Sequence, residues 1–181
     1  MHTRKAILPD VQAVHELIAM YTESGALLPR SLPELCENIR DFVVVEEEGE
    51  AENDGAGQRI IACGALHLYG PHLAEVRSIA VHPDAQGQGA GRRVVKALLH
   101  EGERHHVAGV CLFTRIPEYF IKLGFSMAAL GDLPDKIYKD CLKCPKLNAC
   151  DEVAMVRGEL PKITILQQAR LFARPLVKLQ T

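Results

Sequence analysis

Charge of one sign is the first thing this chain lacks: 21 lysines and arginines stand against 23 aspartates and glutamates, for a formal net charge of -2. Without a strong field of either sign, nucleic acid and acidic membrane surfaces are excluded as partners, and any anion has to be recognised locally. Long apolar runs are missing as well. The opening Met-His-Thr-Arg-Lys-Ala-Ile-Leu-Pro-Asp has no signal-peptide core, and nothing later reaches the length that spans a bilayer. The expectation is a cytoplasmic protein whose six cysteines are reduced, and serve as core residues, metal ligands or redox groups before disulfides. Internal repeats and low-complexity tracts are absent too. A length of 181 residues, 48% of them hydrophobic, suits one domain with a substantial core.

What the chain does have is a strand, a glycine-rich turn and a helix in direct succession. Residues 76–81 are rich in β-branched side chains, His82-Pro83-Asp84 stops the strand, and Val94, Val95, Leu98 and Leu99 recur at helical spacing after the turn. Gly87, Gly89 and Gly91 remove side chains where the chain bends. Backbone N–H groups can therefore converge at a helix N-terminus, where the dipole adds positive potential, and a phosphate or pyrophosphate suits such a turn. A P-loop requires four residues between its glycines and then Lys-Ser/Thr, which residues 87–92 do not supply, and a dinucleotide fingerprint would need glycine at Arg92. The pattern that fits is Gln-x-x-Gly-x-Gly, from Gln86 to Gly91.

Elsewhere, periodicity predicts the frame of one α/β domain. Residues 4–8 read as a strand, Pro9-Asp10 opens a helix with Val11, Val14, Leu17, Ile18 and Tyr21 on one face, and Ser31 with Glu34 forms a capping box for a second helix reaching about residue 39. Residues 42–45 and 59–69 read as strands of a hairpin with a long, acidic, solvated tip over 46–58. A central strand over 73–81, a helix over 91–106 and a buried strand over 107–114 follow, and Ile116-Pro117 opens a short helix closed by Leu123-Gly124-Phe125. Residues 125–130 and 153–156 are the expected last strands, separated by an insert over 133–152. The domain is expected to occupy residues 1–158. The basic tail over 159–181, with Pro161 and Pro175 limiting any helix, is left to pack on the domain or on a partner subunit, which keeps a homodimer open.

This order of elements, with Gln86 to Gly91 and Leu123-Gly124-Phe125, resembles the GNAT superfamily of N-acetyltransferases from about residue 4 to residue 158. Gly25-Ala-Leu-Leu-Pro-Arg-Ser, Leu73-Ala-Glu-Val-Arg-Ser-Ile-Ala-Val and Leu133-Pro-Asp-Lys-Ile-Tyr-Lys-Asp-Cys-Leu-Lys-Cys-Pro are similar to the acetyltransferase domain of bacterial N-acetylglutamate synthases, particularly their short single-domain forms. The resemblance implies a central mixed β-sheet flanked by helices. It also implies acetyl-CoA as cosubstrate and direct acetyl transfer, in a ternary complex, to the α-amino group of L-glutamate or L-glutamine as the first step of arginine biosynthesis. The pyrophosphate of coenzyme A would lie in the turn made by Gln86, Gly87, Gln88, Gly89, Ala90, Gly91 and Arg92, with backbone N–H groups near Ile79, Ala80 and Val81 facing the acetyl oxygen.

Acetyl transfer to an amine needs the ammonium deprotonated before it attacks the thioester, so a base must be within reach, often through a water. The resemblance puts Glu75 in that role; the plain alternative is a strand-end carboxylate paired with Arg77, two residues along on the same face. Many family members protonate the departing thiolate with a tyrosine ahead of Gly-Phe. That position here is Phe120, which leaves Thr114, Tyr119, about 100° round the helix, or water as the acid. Substrate carboxylates are best held by a guanidinium fork, so Arg30, Arg77 and Lys139, with Ser78 as a hydrogen-bonding neighbour, are the binding candidates; the alternative for each cation is a solvated surface charge. Cys141-x-x-Cys144 with Cys150 resembles part of a metal clip, but strong zinc patterns supply two pairs, so free thiols are preferred to a metal there. Cys36, Cys63 and Cys111 lie in apolar surroundings and read as small core residues. An N-acetyltransferase for another amine, and a non-catalytic acyl-CoA-binding or metal-sensing module, are the competing readings.

Overall fold

The computed structural model describes residues 1–48 and 58–160; the middle of the acidic tip and the tail from residue 161 lie outside the described residues. Strand alternation builds one seven-stranded sheet from β1 (His2–Lys5), β2 (Phe42–Glu48), β3 (Gln58–Gly70), β4 (Leu73–Val81), β5 (Gly109–Thr114), β6 (Ser126–Met127) and β7 (Val153–Gly158), in the order β1-β2-β3-β4-β5-β7-β6. The β4–β5 pair is parallel and its neighbours are antiparallel, so the sheet is mixed, as expected. The helices are α1 (Val11–Ala19), α2 (Leu32–Asn38), α3 (Ala90–Arg104), α4 (Pro117–Ile121) and α5 (Pro134–Lys139).

One face of the sheet is covered by α3, whose Val94, Val95, Leu98 and Leu99 pack on Val43, Val45, Ile61, Ala74, Val76 and Val110. Each such aliphatic side chain contributes about 1.5–3 kcal/mol by leaving water. The helix comes this close because position 64 is glycine: a Cβ there would stand 2.6 Å from Val94 Cγ1. On the other face α1 and α2 bring Val14, Leu17, Ile18 and Leu35 onto Val44, Cys63, Ala65 and Ala80. Leu133, at the head of α5, fills a third cluster on that same side with Tyr69, Leu73, Cys111 and Ala154.

β2 runs on through Glu46, buried against Arg4, to Glu48 where the sequence reading ends the strand at Val45, and three further boundaries differ for local reasons. The first strand ends at Lys5 because Asp10 accepts a two-pronged fork from Arg4, at 2.6 and 2.9 Å, and the N–H of Ile7 at 2.8 Å, which winds Leu8–Asp10 into a 3-10 turn. Helix α1 stops at Ala19, which frees Tyr21 for another task. The sixth strand is two residues long rather than a run to residue 130, because Leu130–Asp132 turns as a 3-10 helix to deliver the fully buried Leu133.

Candidate active site

β4 and β5 pair only through Ala74 with Val110 and Glu75 with Cys111, then part. A cleft of about 690 Å³ opens between them, walled by Val76 to Ile79 on one side and Leu112 to Ile116 on the other, with Tyr119 and Phe120 of α4 and the glycine turn completing it. The parting coincides with a β-bulge. Cys63 pairs with Ala80 and Ala65 with Arg77, so Ser78 and Ile79 both stand opposite Gly64, and Ser78 takes a φ of 54°, a strained value for a residue with a Cβ. The bulge leaves the β5-facing backbone edge of β4 without a strand partner beside the cleft, where its N–H groups can meet an oxyanion. Nothing in the side-chain sequence announces this.

At the mouth, the chain leaves β4 through a 3-10 turn over Pro83–Ala85 and enters α3 at Gly89, its N-cap, with Gly87 at φ 75° and Gly89 at φ 88°. The carbonyl of Gly89 accepts the N–H of Arg93 at 3.1 Å. The N–H groups of Gly89, Ala90, Gly91 and Arg92 consequently have no acceptor within the helix and point to where an anion would sit. Gly91 lies where helix, strand and α4 meet: a Cβ there would be 3.3 Å from Val81 Cγ2 and 3.5 Å from the Tyr119 hydroxyl oxygen. Of the residues expected at the coenzyme, Ile79, Val81, Gln86, Gly87, Gly89, Ala90, Gly91 and Arg92 line the cleft. The side chains of Ala80 and Gln88 do not: Ala80 packs under α1, and Gln88 Nε2 turns back to donate to the Asp84 carbonyl at 2.7 Å.

Tyr21 belongs to this site and was read from sequence as ordinary helix packing. Its hydroxyl accepts from Gln86 Nε2 at 2.8 Å and donates to the carbonyl of Val81, so one side chain fastens the end of β4 to the turn. The available signal was a tyrosine at the end of an apolar helix face, too common a feature to single out.

Thr114 is buried, and its Oγ1 accepts the N–H of Ile116 at 3.0 Å. Tyr119 is 36% exposed, and partial burial pushes its phenol above the ordinary value, with Arg92 opposing. Both line the cleft. Glu75 is 3% exposed and is not on the cleft wall. The pairing with Arg77 is not formed: Glu75 Oε1 lies 2.7 Å from Lys136 Nζ, and Oε2 accepts the Tyr69 hydroxyl at 2.8 Å. Arg77 instead lies 3.9 Å from Asp140, and it joins that buried network to the cleft it also lines.

Arg30, Arg77 and Ser78 meet in a small hollow beside the cleft, together with Glu34, Asn38 and Asp41. Only half of the expected capping box forms. Ser31 Oγ accepts the Glu34 N–H at 3.3 Å, while the Glu34 carboxylate pairs with Arg30, so that guanidinium is held rather than free. Lys139 is elsewhere, its ammonium 5.1 Å above the ring of Tyr69. All six cysteines are free, and Cys36 is exposed on α2 rather than in the core. Cys63 and Cys111 are buried, and burial pushes both thiols up to about 12. Among the described residues no three His, Cys, Asp or Glu side chains converge as a metal site.

A mixed sheet parted at one parallel seam, with a bulged strand and the open N-terminus of α3 on one side of the opening, is the frame of an acetyltransferase fold. The acetyltransferase (GNAT) family pattern matches residues 11–125, and the chain belongs to that family as an acetyl-CoA-dependent N-acetyltransferase. An uncharacterised N-acetyltransferase of Chlorobaculum tepidum is 34% identical, the match covering 85% of this chain and 94% of that protein. The amino-acid acetyltransferase of Mycobacterium tuberculosis is 32% identical over 68% of this chain and 67% of its own length. That of Pasteurella multocida is 31% identical over 74% of this chain, which spans only 29% of the relative. Among solved structures, N-acetylglutamate synthase from Neisseria gonorrhoeae, complexed with coenzyme A and N-acetyl-glutamate, superposes with a TM-score of 0.74 at 25% identity, covering 87% of this chain and 34% of that one. A Mycobacterium tuberculosis protein in complex with CoA gives 0.70 at 25% identity, over 88% of this chain and all 100% of that one. No helix among the described residues is long and apolar enough to cross a membrane.

Proposed function

We propose that this acetyltransferase moves the acetyl group of acetyl-CoA onto the α-amino group of L-glutamate or L-glutamine, as in the first step of arginine biosynthesis. The observation that carries the reading is that Arg77 and Ser78 line both the cleft and the small hollow, about 10 Å³, that holds Arg30 beside the bulge of β4. Guanidinium groups there suit a substrate that brings carboxylates, one of which would take the place of Glu34 at Arg30. The similarity to the amino-acid acetyltransferases supports it.

In this reading the pyrophosphate lies on the N–H groups of Gly89 to Arg92, and the thioester carbonyl lies against the unpaired edge of β4, whose N–H groups stabilise the tetrahedral oxyanion. The amine attacks the thioester carbon directly. Its proton passes through water to Glu75, the C–S bond breaks, and Tyr119, beside Gly91, returns a proton to the sulfur of coenzyme A. The test is an acetyl-CoA turnover assay across the free amino acids and matched amines without a carboxylate. Glutamate or glutamine should be preferred by tenfold or more, roughly the 1.4 kcal/mol of one charge-assisted contact. Equal turnover of the decarboxylated amines would refute the amino-acid reading, and coenzyme binding with no turnover of any amine would make the protein a binding module.

A further inference from the structure

We propose that α5 is a positioning device for Glu75, with Lys136 and Tyr69 holding its two carboxylate oxygens and Asp140 setting how firmly they do so. The proposal rests on Glu75 being the base. Helix α5 is short, yet it is pinned at its head. Leu133 is fully buried beneath it, and His72 Nε2 of the β3–β4 turn lies 2.6 Å from Asp135. That fixes the two side chains that follow, Lys136 and Asp140, one helical turn apart. The Lys136 ammonium reaches Glu75 Oε1 at 2.7 Å and Asp140 Oδ2 at 3.2 Å. The Tyr69 hydroxyl has one proton but two carboxylate oxygens in range, Glu75 Oε2 at 2.8 Å and Asp140 Oδ2 at 2.5 Å. Asp140 therefore competes with Glu75 for both of its donors.

A buried ion network is a poor way merely to fasten a six-residue helix, since apolar side chains of the same volume do so as well or better. It is a good way to hold a carboxylate still while it lies out of bulk water. Burial pushes the Tyr69 phenol far up, and the two carboxylates add to that, so it remains a donor at any working pH. For Lys136 burial opposes the charge, but Glu75 and then Asp140 outweigh it and hold the ammonium above its ordinary value. The groups that face Glu75 are His67 and Tyr69 from β3, Arg77 along β4, Cys111 from β5, and Lys136 and Asp140 at α5. Lys136 and Asp140 have opposite charges, so removing one or the other should act on Glu75 with opposite sign.

That pair gives a test by sign. Steady-state turnover is measured against pH for the wild type, Lys136→Met, Asp140→Asn and Glu75→Gln, with the acetyl-CoA KM and the thermal midpoint taken in parallel. Without the ammonium, Glu75 loses one of the two contacts that hold it, so the acid limb of kcat for Lys136→Met should move to higher pH: about a tenfold loss near pH 6.5, recovering to within about threefold near pH 9. Asp140→Asn should move the same limb the other way, and both should leave the acetyl-CoA KM within about twofold. A purely structural role would lower the thermal midpoint and scale kcat equally at every pH. If Glu75→Gln is inactive while both limbs stay in place, the positioning proposal falls and Glu75 survives as the base. If Glu75→Gln turns over normally, the base assignment falls and the positioning role with it. Should Lys136→Met fail to fold, the direction of the Asp140→Asn limb decides alone.

Discussion

At the turn over residues 86–91 the groups left open to an anion belong to the backbone, whereas beneath α5 the ion pair and hydrogen bond to the Glu75 carboxylate come from the side chains of Lys136 and Tyr69. The turn is specified by a few residues in one stretch, because glycine φ values and a helix start suffice to aim several N–H groups at one point. The α5 network is assembled from β3, β4 and the insert, with Tyr69 and Asp140 71 positions apart. Such a network exists only after the sheet has formed and Leu133 has docked. The two sides of the seam should accordingly fail in different ways: the turn by loss of conformation, the network by loss of charge.

The sharpest way to break the comparison is at the turn. Gly89→Val puts a β-branched residue at φ 88°, where strain arises whatever the free space, and here a Cβ would meet nothing within 4 Å. The turn should relax toward negative φ and misdirect the N–H groups. Acetyl-CoA affinity should fall on the order of 100-fold, roughly 2.7 kcal/mol, with the thermal midpoint nearly unchanged. Calorimetry on the folded variant checks this, and unchanged affinity would mean that the phosphates bind elsewhere. A smaller effect is expected where a side chain does the binding. Arg30→Lys keeps the charge but loses the fork, so the amino-acid KM should rise about tenfold, about 1.4 kcal/mol, while the acetyl-CoA KM holds. Equal changes in both constants, or in neither, would remove Arg30 from the substrate hollow.

The same contrast explains what could be read before the fold was known. The turn from Gln86 to Gly91 is legible because its geometry is local, and the succession of elements along the chain follows from alternation and from the punctuation at Pro83 and Pro117. Arg30, Arg77 and Ser78 were legible as candidates through a resemblance, but that they share a hollow depends on the β4 bulge, which no residue type marks. Counting along one strand offers Arg77 only as the alternative partner of Glu75; the cation that does pair with it, Lys136, arrives from an insert in which Leu133 is fully buried. Tyr21 carries no such local mark, because its hydroxyl is satisfied by a carbonyl and an amide from distant segments. Cys36 was misjudged because its apolar neighbours lie along the sequence, while its own position on α2 points to solvent.

The smallest expected effect tests the charge side of the comparison by hydrogen exchange. Burial opposes the charge of Asp140, but the Tyr69 hydroxyl and the Lys136 ammonium outweigh it and hold the carboxyl below its usual range. A carboxyl lowered in the folded state contributes stability that is present above its unfolded value and is lost as pH falls through the folded one. Because the Asp140 side chain is 33% exposed, solvent screening limits that contribution to about 1 kcal/mol, a several-fold change in local opening. The amides to watch are Ile137 and Asp140, which donate to Leu133 and Lys136 within α5. Their protection relative to unstructured peptide should fall several-fold between about pH 6 and pH 3, and Asp140→Asn should abolish that dependence. The first turn of α3 contains no acidic residue, so the amide of Arg93, bonded to Gly89, should keep its protection over the same range. Parallel losses at both places would mean that the sheet opens as one unit and that the two sides of the seam are not built on different physics after all.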